Sequence, residues 1–283
     1  MLLTRRPIAP LAPFVDMLWA SERAGLPHPR ESNLPTGRAD IVIPLREHQA
    51  LTRFTSTDAL AGERFHGGVI QGAQDRMHQR DTQEASSVVG VHFMPGGAAA
   101  FFGGALPELR NRTVLLADLW GPSALVLREE LQATAGPHAR LLRLEAYLMA
   151  RLRHAPPPDT MVLASLRALA REPTAALIKP VQRASGCGPA RFIARFEQAV
   201  GLTPKRYARV LRFHALIERL AREQPGDWAQ AAVEAGYADQ SHLIHEFKRL
   251  AGMTPTAYRA VAPDHPTHVA VGATNGEKIS NTR

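Results

Sequence analysis

The chain has 283 residues, a single cysteine, and 34 Lys and Arg against 26 Asp and Glu, for a net charge of +8. That length allows two domains, each large enough for its own core. Lone Cys187 excludes an intramolecular disulfide and favours a reducing compartment, no run approaches the ~20 apolar residues of a membrane span, and Arg5, Arg6 and repeated prolines interrupt the N-terminal apolar residues, so no secretion signal is read and the cytoplasm is the expected location.

Residues 1 to about 115 read as β-rich. The runs from Ile41 to Leu45 and from Ser87 to Met94 are short and apolar or β-branched, and Pro, Gly and polar clusters bound them. Gly67-Gly68 and Gly96-Gly97 mark turns, and the spacing predicts a small barrel or sandwich. His66, His78 and His92 are scattered and lack the H-x-H pair and following Glu of a metal-dependent barrel enzyme. G-x-S-x-G, the phosphate-cradling G-x-x-x-x-G-K-[ST] and H-E-x-x-H are all missing, so no catalytic residue, metal or cofactor is assigned and an enzyme is not expected.

From about Pro122 to His154 the chain reads as helical, with Leu141, Leu144, Leu148 and Leu152 forming a stripe. Packing of that stripe on its own β domain is the expected use, and a dimer helix the next. Pro156 to Pro158 end the helix and form a stiff linker. The domain division is therefore 1–155, β-rich with C-terminal helices, then 160–262. The stretch 263–283 reads as a mobile tail, apart from a short strand at His268 to Val271.

The second domain contains an internal repeat at an offset of 51. RFIARFEQAVGLTPKRY (191–207) lies over HLIHEFKRLAGMTPTAY (242–258), with identities at Ile193/Ile244, Phe196/Phe247, Gly201/Gly252, Thr203/Thr254, Pro204/Pro255 and Tyr207/Tyr258. These are read as the buried helix positions plus a stop signal, so one supersecondary unit occurs twice. In the second copy Ala229, Ala232 and Val233 make an apolar stripe, Gly236 breaks the helix, and Asp239 caps the next one. Leu243, Phe247 and Leu250 face inward, while Ser241, His242, His245, Lys248 and Arg249 form a donor-rich opposite face. Helix, glycine turn and donor-faced helix is the layout of a helix-turn-helix.

Between the copies, Lys205 to about Arg222 form one helix of roughly 25 Å. Tyr207, Val210, His214, Ile217 and Ala221 step along one face, and Lys205, Arg209, Arg212 and Arg219 along the other. From 175 to 262 there are 13 Lys and Arg against 7 Asp and Glu, a balance of +6 that suits a polyanionic partner.

The expected partner is double-stranded DNA. Arg191, Arg195 and Gln198 line the first recognition helix, and Gln240, Ser241, His242 and His245 the second; Arg and Gln can each bond a base edge with two hydrogen bonds. Lys205, Arg209, Arg212, Lys248 and Arg249 are assigned to phosphates, which fix register without reading sequence. Glu246 stands at the place of Arg195, so the units should read different bases. His242 and His245, three apart, lack the accompanying ligands of a metal site.

GYADQSHLIHEFKRLAGMTPTAYR and VGLTPKRYARVLRFHALIERL resemble the AraC/XylS family of transcriptional regulators over about 160–262. Gly188 departs from the pattern, standing where the family usually has a capping serine. PLAPFVDMLW, LPTGRADIVIPL and VGVHFMPGGAAAFFG are similar to the N-terminal domain of one AraC-like subgroup. The resemblance implies an α+β chain, with a small β-barrel or sandwich-like domain followed by an all-α domain of two helix-turn-helix units on a long helix. It further implies an N-terminal domain that senses a small-molecule effector or mediates assembly into a homodimer, and contact with RNA polymerase in an activator. The alternatives are an N-terminal enzyme or small-molecule carrier merely localised by the basic half, and a protein-binding adaptor without DNA sequence preference.

Overall fold

A computed structural model describes residues 1–56, 59–174, 178–222, 227–261, 263 and 265–271. The N-terminal strands are β1 (Leu2–Arg5), β2 (Val15–Arg23), β3 (Arg30–Asn33), β4 (Asp40–Pro44), β5 (Leu51–Phe54), β6 (Glu63–Phe65), β7 (Val69–Gln71), β8 (His78–Asp81) and β9 (Ser86–Phe93). Helix α1 (Ala99–Phe102), strand β10 (Thr113–Leu115) and helices α2 (Leu116–Trp120), α3 (Pro122–Ala133) and α4 (Pro137–Leu152) follow. The C-terminal helices are α5 (Thr160–Arg171), α6 (Ile178–Ala184), α7 (Pro189–Val200), α8 (Pro204–Arg222), α9 (Trp228–Glu234), α10 (Gln240–Ala251) and α11 (Pro255–Val261), and strand β11 (His268–Val271) comes last.

The strands form two sheets that do not close into a barrel, in the orders β1-β2-β9-β4-β7-β10 and β11-β3-β8-β5-β6. In β9 the run Ser87–Val91 is buried on both faces, because helices cover one side of the first sheet and the second sheet faces the other. A bulge between Val15 and Met17 shifts the side-chain parity of β2. Val15 and Leu18 can therefore both join the helix-covered core, although they stand three positions apart. Gly90 is required where it stands: the Trp19 ring crosses it, and a Cβ there would meet that ring at 2.3 Å.

The helical stretch expected from Pro122 to His154 is two helices, parted at 134–136, each with proline at its first position. Leu141, Leu144 and Leu148 are fully buried against the first sheet and Leu152 packs beside them, so this stripe belongs to its own domain's core. Buried Glu145 accepts hydrogen bonds from the Arg5 guanidinium and the Ile8 N–H, tying α4 to the N-terminal strand.

A second core runs from Val162 through Tyr258, and it also takes in Leu34, Ala73 and Val269. The last of these lies on β11. The strand read at His268–Val271 is present, but it is not part of a free tail: it pairs antiparallel with β3, with Val269 opposite Ser32. The tail expected beyond residue 271 lies outside the described residues. Tyr258 Oη donates to the Pro266 carbonyl and steers the chain from α11 into this strand.

Truncating Val269, which is fully buried where the two domains meet, to Ala removes two methyl groups' worth of apolar burial and leaves a cavity. The expected loss is about 2 kcal/mol, at ~0.8 kcal/mol per buried carbon plus the void, read as a lower chemical-denaturation midpoint. An unchanged midpoint would mean that β11 contributes nothing to the fold.

Candidate nucleic-acid interface

The repeat folds as two helix pairs, α6–α7 and α9–α10, around α8. The identities have matching roles. Gly201 and Gly252 both end their helices in the left-handed conformation, at φ 81° and 72°, which an L side chain adopts only with strain. Thr203 Oγ1 accepts from Arg206 N–H and Thr254 Oγ1 from Ala257 N–H, so each threonine caps the helix that its following proline begins. Phe196 packs on Tyr207 with ring centroids 5.7 Å apart, and Phe247 on Tyr258 at the same separation. Ile193 is the exception: it is 44% exposed, not buried.

Other expected faces also shift. In α9 the buried residues are Ala231 and Ala232, followed by Ala235, while Ala229 and Val233 face solvent. The inner seam of α8 is Tyr207, Val210, Phe213, Leu216, Ile217 and Leu220; His214 is half-buried and Ala221 exposed. The 3.6-residue period allows several neighbouring stripes, and packing against four helices widens the buried one.

The predicted donor residues divide into two groups. Arg191, Gln240, Ser241, His245, Lys205 and Lys248 are exposed, and apolar Ala190 and Ala194 lie exposed beside Arg191. The rest are engaged within the protein. Arg195 makes two bonds to Asp159, at 2.9 and 2.8 Å, and a longer one to Cys187 Sγ at 3.6 Å. Arg209 makes two bonds to Glu246, at 2.8 and 2.6 Å, and Arg249 approaches the same carboxylate at 3.3 Å. Arg212 donates to the Gly236 carbonyl at 2.7 Å and lies over the Tyr237 ring. His242 Nδ1 accepts from Ala238 N–H, and its ring meets Tyr237 edge-on. Gln198 is exposed, yet its amide donates to the Gly104 carbonyl of the N-terminal domain at 3.3 Å.

Sequence reading missed the acids that hold these arginines. Asp159 serves twice, capping α5 through Met161 and Val162 N–H and pairing with Arg195 from 36 residues away. Glu246 is buried; the Arg209 hydrogen bonds outweigh burial and, with Arg249 and His242 nearby, pull its carboxyl down to about 2. No local spacing rule announces such pairs; the only signal was that Glu246 breaks the match to Arg195.

The N-terminal domain grips both recognition helices at their C-terminal ends. On α7, Glu197 pairs with Arg110 at 3.4 Å beside the Gln198–Gly104 bond. On α10, the Leu250 carbonyl accepts from Met77 N–H at 2.8 Å. Buried Asp75 links the two grips. It receives Arg206 at 2.5 Å and the Asn111 amide at 2.8 Å, and these bonds outweigh burial to hold its carboxyl below the usual range.

Residues 182–260 match the model of a helix-turn-helix domain, and residues 3–115 that of a domain of unknown function (DUF6597). The matched C-terminal segment is a helix-turn-helix domain of the AraC type. These helix-turn-helix units make the chain a DNA-binding transcription regulator. No curated protein matches its sequence. Among solved structures it is similar to ToxT from Vibrio cholerae, at 10% identity over 91% of this chain and 97% of that one, with a TM-score of 0.44. It is also similar to the AraC-like transcriptional activator CuxR, at 14% identity over 77% and 87%, with a TM-score of 0.21. The helix-turn-helix assignment rests on the matched segment and not on these two likenesses.

Because Glu246 is held below its unfolded value, its stabilising effect is complete above the ordinary carboxyl pKa of ~4.3. It is lost as pH falls from there through about 2. Acid titration of stability should show a limb of roughly 2–3 kcal/mol over that window, and Glu246→Gln should flatten it. An equally steep limb in the variant would remove Glu246 from this role.

Proposed function

We propose that this regulator reads a two-part operator, with α7 and α10 entering successive major grooves by their N-terminal halves. The observation that supports this reading is an asymmetry common to both helices: the first turns are open, and the last turns are held by the N-terminal domain. In a helix-turn-helix the N-terminal residues of the recognition helix meet the base edges. Arg191 is the base reader of the first unit, with Ala194 placed to meet a thymine methyl, and Gln240, Ser241 and His245 serve the second. Lys205 and Lys248 meet phosphates. Arg195, Arg209, Arg212 and Arg249 shape the units from within, and His242 steadies the turn before its helix.

The N-terminal domain then acts on DNA binding through its hold on the two helix ends, and a small-molecule effector in that domain changes the setting of one unit against the other. Coupling of this kind needs an element that both sites bias, and the Asp75–Arg206–Asn111 junction has that position.

Selection from random DNA with the full chain should return two short preferred blocks about one helical turn, ~34 Å, apart. Arg191→Ala should relax preference at one or two base pairs by about 1–3 kcal/mol. Lys205→Ala should instead weaken every sequence and reduce the salt slope by roughly 0.9. If the two variants behaved alike on the selected site, the assigned roles would be wrong. Asp75→Asn should change affinity for the two-block site while leaving each block's consensus intact; an altered consensus would place Asp75 outside the coupling junction.

A further inference from the structure

The second sheet carries a charged row between the sheets. Reading across the strands, Ala270, Glu31, Arg80, Arg53 and Glu63 stand opposite one another from β11 to β6, and opposed residues in antiparallel strands share a face. Two residues along from Arg80 and Arg53, on the same face, lie His78 and Leu51, the latter opposite Phe65. Leu51 and Phe65 pack on Val42, Val69 and Val88 of the first sheet, so this face looks inward.

Glu31 is fully engaged: Arg80 donates to it at 2.8 and 3.2 Å, and His268 Nδ1 lies at 3.4 Å. Arg53 has nothing comparable. It is 9% exposed, its Nε has no hydrogen-bond partner, and Nη1 reaches only the neighbouring Thr52 carbonyl, at 3.3 Å. Glu63 across from it is exposed and makes no ion pair with it. Among the described residues no carboxylate lies within ion-pair distance of Arg53. Burial, then the like charges of Arg80 and Arg23, push its guanidinium down to about 9. A buried charge without a counter-charge is among the costliest features that a fold can carry.

The surroundings are polar and ordered. Burial, with Arg53 and Arg80 nearby, lowers His78 to about 3, so its ring is neutral. Nδ1–H then donates to Gln74 at 2.6 Å, leaving Nε2 to accept from the Gln71 amide at 3.1 Å. Asn33, beside it, leaves a buried amide oxygen without a donor.

The geometry points to Arg53, with Arg80 beside it, as the seat of a small oxyanion, a carboxylate or phosphate, bound between the two sheets. A guanidinium presents paired N–H donors that match either group. Building on the effector reading above, this anion is the effector. His268 gives it a route to the DNA-binding half, because this ring shares Glu31 with Arg80 and stands on the strand that directly follows the last DNA-binding helix. An anion that draws Arg80 toward Arg53 changes the hold of Glu31 on β11.

The test is thermal unfolding of the full chain titrated with inorganic phosphate and, separately, with benzoate, each at constant ionic strength. One of the two should raise Tm saturably, phosphate identifying a phosphate ligand and benzoate a carboxylate. Arg53→Gln should abolish that response, and Arg53→Leu should abolish it while leaving anion-free Tm equal to or above that of the parent. No saturable rise with either anion overturns the site. So does a rise that persists in both variants, or an anion-free Tm that falls in Arg53→Leu, which would mark a structural arginine. Operator affinity measured in the same titrations separates the two claims. Saturable, Arg53-dependent binding without a change in operator affinity supports the anion site and overturns the effector reading.

Discussion

Two aromatic contacts on α8 anchor the recognition helices of the DNA-binding half. Tyr207, near the start of the helix, packs on Phe196 of α7; Phe213, nearly two turns later, packs on Phe247 of α10 at 5.1 Å. Each recognition helix is therefore suspended by its buried face from the same rod, whose 19 residues span roughly 28 Å. A straight helix does not stretch, so the two anchor points stay about 9 Å apart along its axis. Everything else in the domain adjusts orientation around that fixed interval.

The basic balance of this region misleads if every charge is taken as available to DNA. Asp159, Glu246 and the N-terminal domain's Asp75 hold Arg195, Arg209, Arg249 and Arg206 in close pairs. Where the carboxylate is buried, as at Glu246 and Asp75, such a pair is costly to break from one side. The pairs act as locators: Glu246 joins α10 to α8 through Arg209, and Asp159 joins the start of α5 to α7 through Arg195. The open cations, Arg191, Lys205 and Lys248, stand where those locators leave them.

What could be read from residues alone follows from how local each cause is. Gly201 and Gly252, the Thr-Pro pairs and the Phe–Tyr packing are signals within a few residues of one another, so the repeat disclosed both units, the long helix and the turn positions. The runs at Ile41 and Ser87 disclosed two central strands of the first sheet for the same reason. Short strands such as β3 and β8, with the sequences Arg-Glu-Ser-Asn and His-Gln-Arg-Asp, carry no hydrophobic alternation. Their inward residues are polar, and only the folded arrangement shows that they face another sheet. The partners of Arg195, Arg209 and Gln198 lie 36, 37 and 94 residues away, which is why a donor-rich helical face could be recognised while the engaged donors on it could not be told from the open ones.

The return of the chain to its N-terminal domain changes what the two halves can do. A domain attached by the 153–159 segment alone could swing about it. Here the opposite end of the same domain is fixed as well, because β11 completes the edge of the second sheet beside β3, and Val269 is buried in the DNA-binding core. Any reorientation of α7 and α10 against the sheets must either carry β3 with it or part the β3–β11 ladder. Residues on β3 therefore sit at a mechanical junction: Glu31 faces the arginine row, and Leu34, just past the strand end, packs on the DNA-binding core. Four consecutive residues connect the interior of one domain to the core of the other, so a change in charge between the sheets needs no long chain of intermediates to reach the helix-turn-helix units.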